Sequence, residues 1–466
     1  MGKRLKNPSP DGRLPFGEVF WYGAGDLANN LIAQMVLVYL LVFYTDIFGI
    51  PAAAAGAIFV VTRIVDAVTD ILMGIIVDKV TLKSGKLRGW IRIGAIPFGV
   101  LAVLCFVTPP FGTTGKIIWA YVTYNLLSCA TTMINIPYMS LPGAMTQSQH
   151  ELTRLSAIRT VFTVIGALSV TILVPIIAAS VTGGNLQTGY PIAMGMFVIV
   201  GVFIYFMLSF KCQERYVAAE RSRLGFKETL RSIFHNKPLI LLAVVMAFNI
   251  GSTNLRAASI AYYFKYYLGN EGLMAVYLVI VYVCNLSGVF IGPALTRKFS
   301  RKGIMQFSII FFAVTNSVIF FIPKTANLLF FIVSAFAAIG TSLSSILIYT
   351  LLPDAVEYGE YMTGVRTEGS VYSLVSFATK VGSAIGGAVP AWILAAVNFV
   401  PNVEQALPAQ TAINAMMTVV PSAILLVAFV IMLFYNVTED KFKFYLTENN
   451  KKREAAGTRE PGAKEA

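Results

Sequence analysis

Residues 51–78, PAAAAGAIFVVTRIVDAVTDILMGIIVD, decide the class of fold to which the chain belongs. A helix needs about 20 mostly apolar residues to cross the hydrocarbon core of a bilayer, and this stretch is long enough. It nevertheless carries Arg63, Asp66 and Asp70 at positions i, i+3 and i+7, which lie on one helix face. Ionisable groups at bilayer depth are costly and mark functional sites, so we predict a membrane helix whose charged face lines a cavity.

Eleven other segments share this length and apolar character. The twelve predicted spans are 16–46, 51–78, 89–108, 117–145, 155–180, 190–210, 238–268, 272–296, 304–323, 327–352, 367–400 and 411–436. The 466 residues are 56% hydrophobic and 13% charged, with a mean hydropathy of +0.71. Soluble proteins average roughly 25% charged residues. We therefore predict an all-α polytopic membrane protein.

The lysines and arginines predict the orientation of these spans. Of the 36, 28 lie on the side of the membrane that holds both termini, and only Lys116, Lys265 and Lys324 lie in loops on the other side. Positive loops stay in the cytoplasm. We expect a multi-pass protein of the cell membrane with cytoplasmic termini. The net charge of +13 then reflects topology and contact with anionic lipid, and we expect no nucleic-acid partner.

The longest central loop divides the spans into two sets of six. Residues 74–88 and 292–303 both place a glycine near a span end before a basic cluster, at equivalent positions of the two sets. Such weak internal likeness is typical of parallel six-helix repeats. The predicted domains are an N-terminal tail 1–15, a six-helix bundle 16–210, a central loop 211–237, a second bundle 238–436 and a C-terminal tail 437–466.

The charged face of span 2 favours a cation site. Its two carboxylates, Asp66 and Asp70, exceed the single guanidinium of Arg63. A bound Na⁺ or a bound proton would balance the excess, and we expect no structural metal. The alternative is an Arg–Asp pair that only holds helices together.

Span 1 carries polar residues that suit a sugar. Asp26 follows the small residues of GAG (23–25), and Asn30 lies one turn beyond it. This face can line a water-filled cavity and accept hydrogen bonds from sugar hydroxyls, whereas the alternative is a contact between helices.

Span 4 combines polar side chains with two prolines. Thr132 and Asn135 lie at helical spacing, and we expect Pro137 and Pro142 to interrupt the helix. Broken helices beside polar groups mark binding sites in transporters. Asn135 is thus a candidate for either the cation site or the sugar site.

Two basic residues complete the candidate site. Arg159 lies about one turn from the end of span 5, where snorkelling to the membrane surface is the alternative role. Lys380 in span 11 has no acid within four residues of its own helix. Its charge must therefore be balanced by another helix or by a ligand.

Several functions are excluded by what the sequence omits. No G-x-x-x-x-G-K-[ST] motif is present, so the chain lacks a P-loop for ATP. The only histidines, His150 and His235, lie in predicted cytoplasmic loops. The predicted spans therefore contain neither a Ser-His-Asp set nor an H-E-x-x-H motif, which argues against a membrane-embedded hydrolase. We therefore expect no enzyme and no cofactor other than a coupling H⁺ or Na⁺.

The motifs resemble those of the glycoside–pentoside–hexuronide:cation symporters, a family of the major facilitator superfamily. The likeness covers essentially the whole chain and is carried by GDLANN (25–30), YTDIFGIPAAAAG (44–56), RIVDAVTD (63–70), SGKLRGW (84–90), NIPYMSL (135–141) and VEYGEYMTGVRTEGSVYSLVSFATKVGSAIGG (356–387). It implies twelve helices in two bundles, a central sugar site and coupled cation entry by alternating access. We expect a functional monomer.

The resemblance also implies roles for single residues. Asp66 and Asp70 match paired cation-site aspartates, Thr132 a hydroxyl ligand of that site, and Lys380 a lysine beside it. Two further positions, Asp26 and Arg159, match sugar-binding residues.

Two departures from the melibiose permeases refine the substrate. Asn135 stands where they have an aspartate, which favours H⁺ over Na⁺, and Met139 stands where they have a sugar-stacking tryptophan. The motifs GDLANN, AMTQ (144–147) and LGNEGL (268–273) are closer to glucuronide carriers. We therefore expect glucuronides. Two alternative substrates are neutral glycosides, such as xylosides, and lysolipids. A third alternative is a non-transporting sensor, and the absence of an added soluble domain argues against it.

Overall fold

The computed structural model describes residues 13–82, 84–146, 148–183, 185–215, 236–296, 298–364 and 368–455. Within these ranges the regular structure is helical, and an isolated bridge joins Leu82 and Gly85. The prediction of an all-α chain is confirmed for this part of the protein. The predicted tails and central loop lie partly outside the described residues, as do residues 365–367 of the motif at 356–387.

Apart from the central segment between α6 and α7, the described helices follow one another with short connections. They are α1 (Phe16–Val42), α2 (Ala52–Lys79), α3 (Arg88–Leu104), α4 (Thr113–Met145), α5 (Gln149–Thr182), α6 (Leu186–Lys211), α7 (Lys237–Tyr262), α8 (Gly272–Thr296), α9 (Arg301–Ile319), α10 (Asn327–Thr363), α11 (Glu368–Ala396), α12 (Leu407–Met417), α13 (Val419–Leu433) and α14 (Glu439–Ala455). α1 and α7 each continue into a π-helical turn, Phe43–Ile47 and Tyr263–Tyr267.

Among the described residues, eight helices are long and apolar enough to cross a membrane, or nine if α12 and α13 count as one span. The chain is thus a multi-pass membrane protein, and the count of twelve spans stays a prediction.

The predicted interruption of span 4 is wrong. α4 runs without a break from Thr113 to Met145 and contains both Pro137 and Pro142. A proline removes one backbone donor, and membrane helices tolerate this loss where neighbouring groups satisfy the freed carbonyl. The last predicted span is the one that divides, at Thr418, whose carbonyl oxygen accepts a 2.6 Å hydrogen bond from Asn316 Nδ2.

The chain packs into two compact units. The first takes in the described residues of 13–215, 254–282 and 384–417, and the second those of 236–253, 283–383 and 418–455. Their boundaries fall inside α7, α8 and α11. The units therefore differ from the two predicted bundles, and the division into six and six spans stays a prediction.

Close helix packing positions the polar face of α1 in the first unit. α1 packs against α5 and α6, and α2 packs against α4. A Cβ added to Gly23 would lie 2.4 Å from Ile158 Cγ2, and one on Gly25 would lie 2.5 Å from Leu208 Cδ1. Glycine permits this approach without a shift of the neighbouring side chains, and the contact at Gly23 brings α1 close to α5.

The second unit has its own apolar core and an additional helix. Buried residues of α7, α9, α10, α11 and α13 form the core. The predicted C-terminal tail contains α14, which packs against α10. Asn449 Nδ2 donates to the Glu357 carbonyl oxygen at 2.9 Å and to Glu357 Oε2 at 2.8 Å.

Candidate functional site

The charged face of α2 contains an internal ion pair. Arg63 Nη1 lies 2.8 Å from Asp66 Oδ2, and the Asp66 side chain is only 10% exposed. The i, i+3 spacing on a helix permits this contact. Arg63 Nη2 also donates to the Tyr124 hydroxyl of α4 at 3.3 Å. The ion pair thus forms within one helix, and the guanidinium reaches a second helix through a neutral hydroxyl.

The second aspartate of α2 meets a hydroxyl of α4. Thr132 Oγ1 donates to Asp70 Oδ1 at 2.8 Å, and Thr132 is buried. Its neighbour Thr131 instead donates to the Leu127 carbonyl oxygen of α4 at 2.8 Å. Asn135 is half-buried one turn beyond Thr132. The structure therefore brings Asp70 and Thr132 together, with Asn135 nearby along α4.

This arrangement offers oxygen ligands for a small cation. A threonine hydroxyl has one donor proton and two acceptor lone pairs, so it can donate to a carboxylate or accept from a carboxyl group. Either a proton or an alkali cation can be exchanged at such a site. Within the described ranges, no group of three or more His, Cys, Asp and Glu side chains is placed to hold a metal ion.

A second acidic site lies between α1 and α5. Asp26 is buried, and its Oδ2 accepts hydrogen bonds from Thr163 Oγ1 and, at 3.2 Å, from Asn30 Nδ2. Asn30 Nδ2 also donates to the Asp26 carbonyl oxygen at 2.9 Å. These donors come from neutral groups, so they hold the carboxylate in place without neutralising its charge.

Arg159 of α5 lies beside this acid. Its guanidinium interacts electrostatically with Asp26 and with the Tyr22 hydroxyl, and Nη1 lies 3.1 Å from the Met139 sulfur of α4. The Tyr22 ring stacks on Tyr138 with centroids 4.9 Å apart, and the Tyr138 hydroxyl donates to the Tyr22 carbonyl oxygen at 2.9 Å. The structure thus brings Arg159 together with Asp26, and its role in binding sugar stays a prediction.

Lys380 belongs to the second unit. It lies half-buried on α11. Its assignment to the cation site stays a prediction.

Three site neighbours were missed in the sequence. Tyr22 lies one turn before Asp26, Thr163 one turn after Arg159, and Tyr124 about two turns before Thr132. Each shares a helix face with a predicted residue, so helical spacing alone was the signal that would have found them.

Known proteins resemble the chain over nearly its full length. The model of a family described as MFS/sugar transport protein matches residues 21–439. An uncharacterized symporter, YnaJ, of Bacillus subtilis (strain 168) is 34% identical over 94% of this chain and 95% of its own. A glucuronide carrier protein homolog of Escherichia coli (strain K12) is 32% identical over 95% and 97%.

A solved structure gives the same fold. The inward-facing, occupied structure of a bacterial homolog of the human lysosomal transporter Spinster has a TM-score of 0.68 and covers 91% of this chain and 97% of its own. At 13% identity the likeness concerns the fold alone. The family predicted from the motifs is confirmed, and the relatives are transporters and not enzymes. The chain belongs to the MFS/sugar transport protein family of multi-pass membrane transporters.

Proposed function

We propose that this protein is a cation-coupled symporter that imports glycosides, with glucuronides favoured, across the cell membrane by alternating access. In this proposal it has twelve spans in two bundles of six, with both termini in the cytoplasm. The family membership and the one-sided distribution of lysine and arginine support it.

One observation carries the proposal: α4 contacts both acidic sites of the first unit. Thr132 donates to Asp70 at 2.8 Å, and Met139, two turns further along the same helix face, contacts Arg159 at 3.1 Å. Asn135 lies between them on that face. A rigid helix that contacts both sites provides a physical route by which the occupancy of one affects the other.

The chemistry of each site assigns its ligand. Two carboxylates and one guanidinium on α2 attract a cation. The α1–α5 site offers a carboxylate, a guanidinium, an amide and a hydroxyl, which together match the alternating donors and acceptors of a sugar. Asp26, Asn30 and Arg159 therefore bind the sugar, and Asp66, Asp70 and Thr132 bind the coupling ion.

Glucuronides and protons are the favoured pair. A glucuronide carries its own carboxylate, which Arg159 or Lys380 can bind by a charge-assisted hydrogen bond. Asn135 supplies an amide where the melibiose permeases have a carboxylate, so the site has one fewer negative charge to attract Na⁺. The Thr132 hydroxyl donates a hydrogen bond to the Asp70 carboxylate, and it can instead accept one when Asp70 takes up a proton.

A counterflow screen in proteoliposomes tests this function. We expect p-nitrophenyl β-D-glucuronide inside the vesicles to drive entry of labelled glucuronide, with weaker exchange by the matching β-D-glucoside and β-D-xyloside. Stronger exchange with the neutral glycosides would overturn the preference for glucuronides. Exchange with none of these glycosides would overturn the sugar assignment.

A further inference from the structure

The π-helical turns that end α1 and α7 have the same backbone geometry. In the first, the Phe48 N–H donates to the Phe43 carbonyl oxygen at 2.8 Å, and in the second the Leu268 N–H donates to the Tyr263 carbonyl oxygen at 2.9 Å. A glycine with positive φ follows each, Gly49 at 75° and Gly269 at 67°. The two turns are therefore equivalent elements, one from each predicted half of the chain.

The two turns contact each other through opposite charges. Lys265 Nζ lies 2.6 Å from Asp46 Oδ2, and the Tyr266 hydroxyl donates to the same oxygen. Thr45 Oγ1 and the Tyr262 hydroxyl, from the same two helices, share a 2.7 Å hydrogen bond. Residues more than 200 positions apart thus form one polar contact within the first unit.

A third segment closes the contact. Asn402 Nδ2 donates to the Asp46 carbonyl oxygen at 2.8 Å, and its Oδ1 accepts from Lys265 Nζ at 2.9 Å. Its backbone N–H donates to the Tyr266 hydroxyl at 3.0 Å. With φ at 60°, Asn402 occupies the left-handed region, which asparagine tolerates better than most residues. This one side chain therefore contacts both turns.

The contact is buried but lies at helix ends. The Asp46 side chain is 1% exposed and the Lys265 side chain 22%. Removing one partner of a buried ion pair leaves an uncompensated charge, which is strongly unfavourable. Separating both partners into water hydrates both charges, so the intact pair is suited to open and close.

We propose that Asp46, Lys265, Tyr266 and Asn402 form a latch that closes the substrate path at the end of α1 remote from the N-terminus. The inference rests on the proposed alternating access, in which this end faces outward and the latch opens once in each cycle. Gln34 lies on the closed side: it is twelve residues from Asp46, about 18 Å along the helix. Its Oε1 accepts a 3.0 Å hydrogen bond from Tyr282 of α8.

A cysteine at position 34 reports whether the latch is open. Gln34→Cys is introduced after replacement of Cys105, Cys129, Cys212 and Cys284, and a membrane-impermeant maleimide is applied to right-side-out vesicles. We expect Asp46→Asn and Lys265→Met each to raise the labelling rate about tenfold, which corresponds to about 1.4 kcal/mol. The exchange of charges in Asp46→Lys with Lys265→Asp should return the rate to within about threefold of the wild type.

Lys116 provides a matched control. Its Nζ donates to the Phe48 carbonyl oxygen at 2.8 Å, beside the same turn, but it contacts neither Lys265 nor Asn402 through a described hydrogen bond. Lys116→Met should leave the labelling rate unchanged. An unchanged rate in Asp46→Asn, or an equal rise in Lys116→Met, would overturn the latch. The assay needs no substrate, so its failure is distinct from a failed counterflow screen.

Discussion

Two acidic sites lie in the first unit: the α2 site, with Asp66 and Asp70, and the α1 site between α1 and α5, with Asp26. Their carboxylate groups have different kinds of partners. Asp66 pairs with a guanidinium one turn away on its own helix, and Asp70 accepts from the Thr132 hydroxyl. Asp26 accepts from a hydroxyl of α5 and an amide of α1, with Arg159 beside it. The α2 site has an excess of negative charge, whereas the α1 site has a variety of donors and acceptors. This difference is the basis on which we propose an ion as the ligand of the α2 site and a polyol as the ligand of the α1 site.

The largest effect should come from removing charge at the α2 site. We expect Asp70→Asn to abolish uphill accumulation of glycoside while counterflow continues, because exchange without net ion movement needs no coupling. The protein should remain folded, since an uncharged group is less costly at bilayer depth. Uptake into energised vesicles and counterflow are measured on the same preparation. Concentrative uptake at the wild-type level would remove Asp70 from the ion site.

The complementary change at the α1 site should weaken sugar binding. Asp26→Asn keeps the size of the side chain but loses charge-assisted hydrogen bonds to sugar hydroxyls. We expect affinity to fall about a hundredfold, which corresponds to about 2.7 kcal/mol. Equilibrium binding of p-nitrophenyl β-D-glucuronide measures the change. The two sites would not be distinct if Asp26→Asn left affinity intact and abolished only accumulation.

A substitution of Lys380 tests whether this residue binds the substrate carboxylate or takes part in ion coupling. If it binds the substrate carboxylate, Lys380→Gln should weaken glucuronide binding more than binding of the matching glucoside. The expected difference is about 1.5–3 kcal/mol, or roughly ten- to a hundredfold. Both affinities are measured at saturating cation. Equal loss for the two sugars would assign Lys380 to coupling and leave Arg159 to bind the carboxylate.

The smallest effect should come from the hydroxyl beside Asp70. Thr132→Val keeps the shape of the side chain but removes a hydrogen bond worth about 1 kcal/mol, so the cation concentration for half-maximal uptake should shift about fivefold. Thr131→Val is the matched control, because Thr131 donates to its own helix. A shift of the same size in both variants would attribute the effect to the helix and not to the site.

Sequence periodicity was informative within helices and uninformative between them. The spacing of Arg63 and Asp66 predicts their shared face, and the structure places them 2.8 Å apart. The contact of Asp46 with Lys265 was not foreseen, because no local rule relates residues that distant in the chain. Lys265 was counted only as a loop charge. The prolines of α4 misled the prediction, because a membrane helix can retain its course where neighbours satisfy the freed carbonyl.

Proton movement driven by the sugar tests the central claim most directly. In weakly buffered, de-energised vesicles, addition of p-nitrophenyl β-D-glucuronide should make the outer medium alkaline as proton and sugar enter together. We predict this response in the wild type with or without Na⁺, and its absence in Asp70→Asn. A wild-type protein that accumulates the glucuronide only with Na⁺ and moves no protons would contradict H⁺ coupling. Alkalinisation that persists in Asp70→Asn would contradict the division of labour between the α2 and α1 sites.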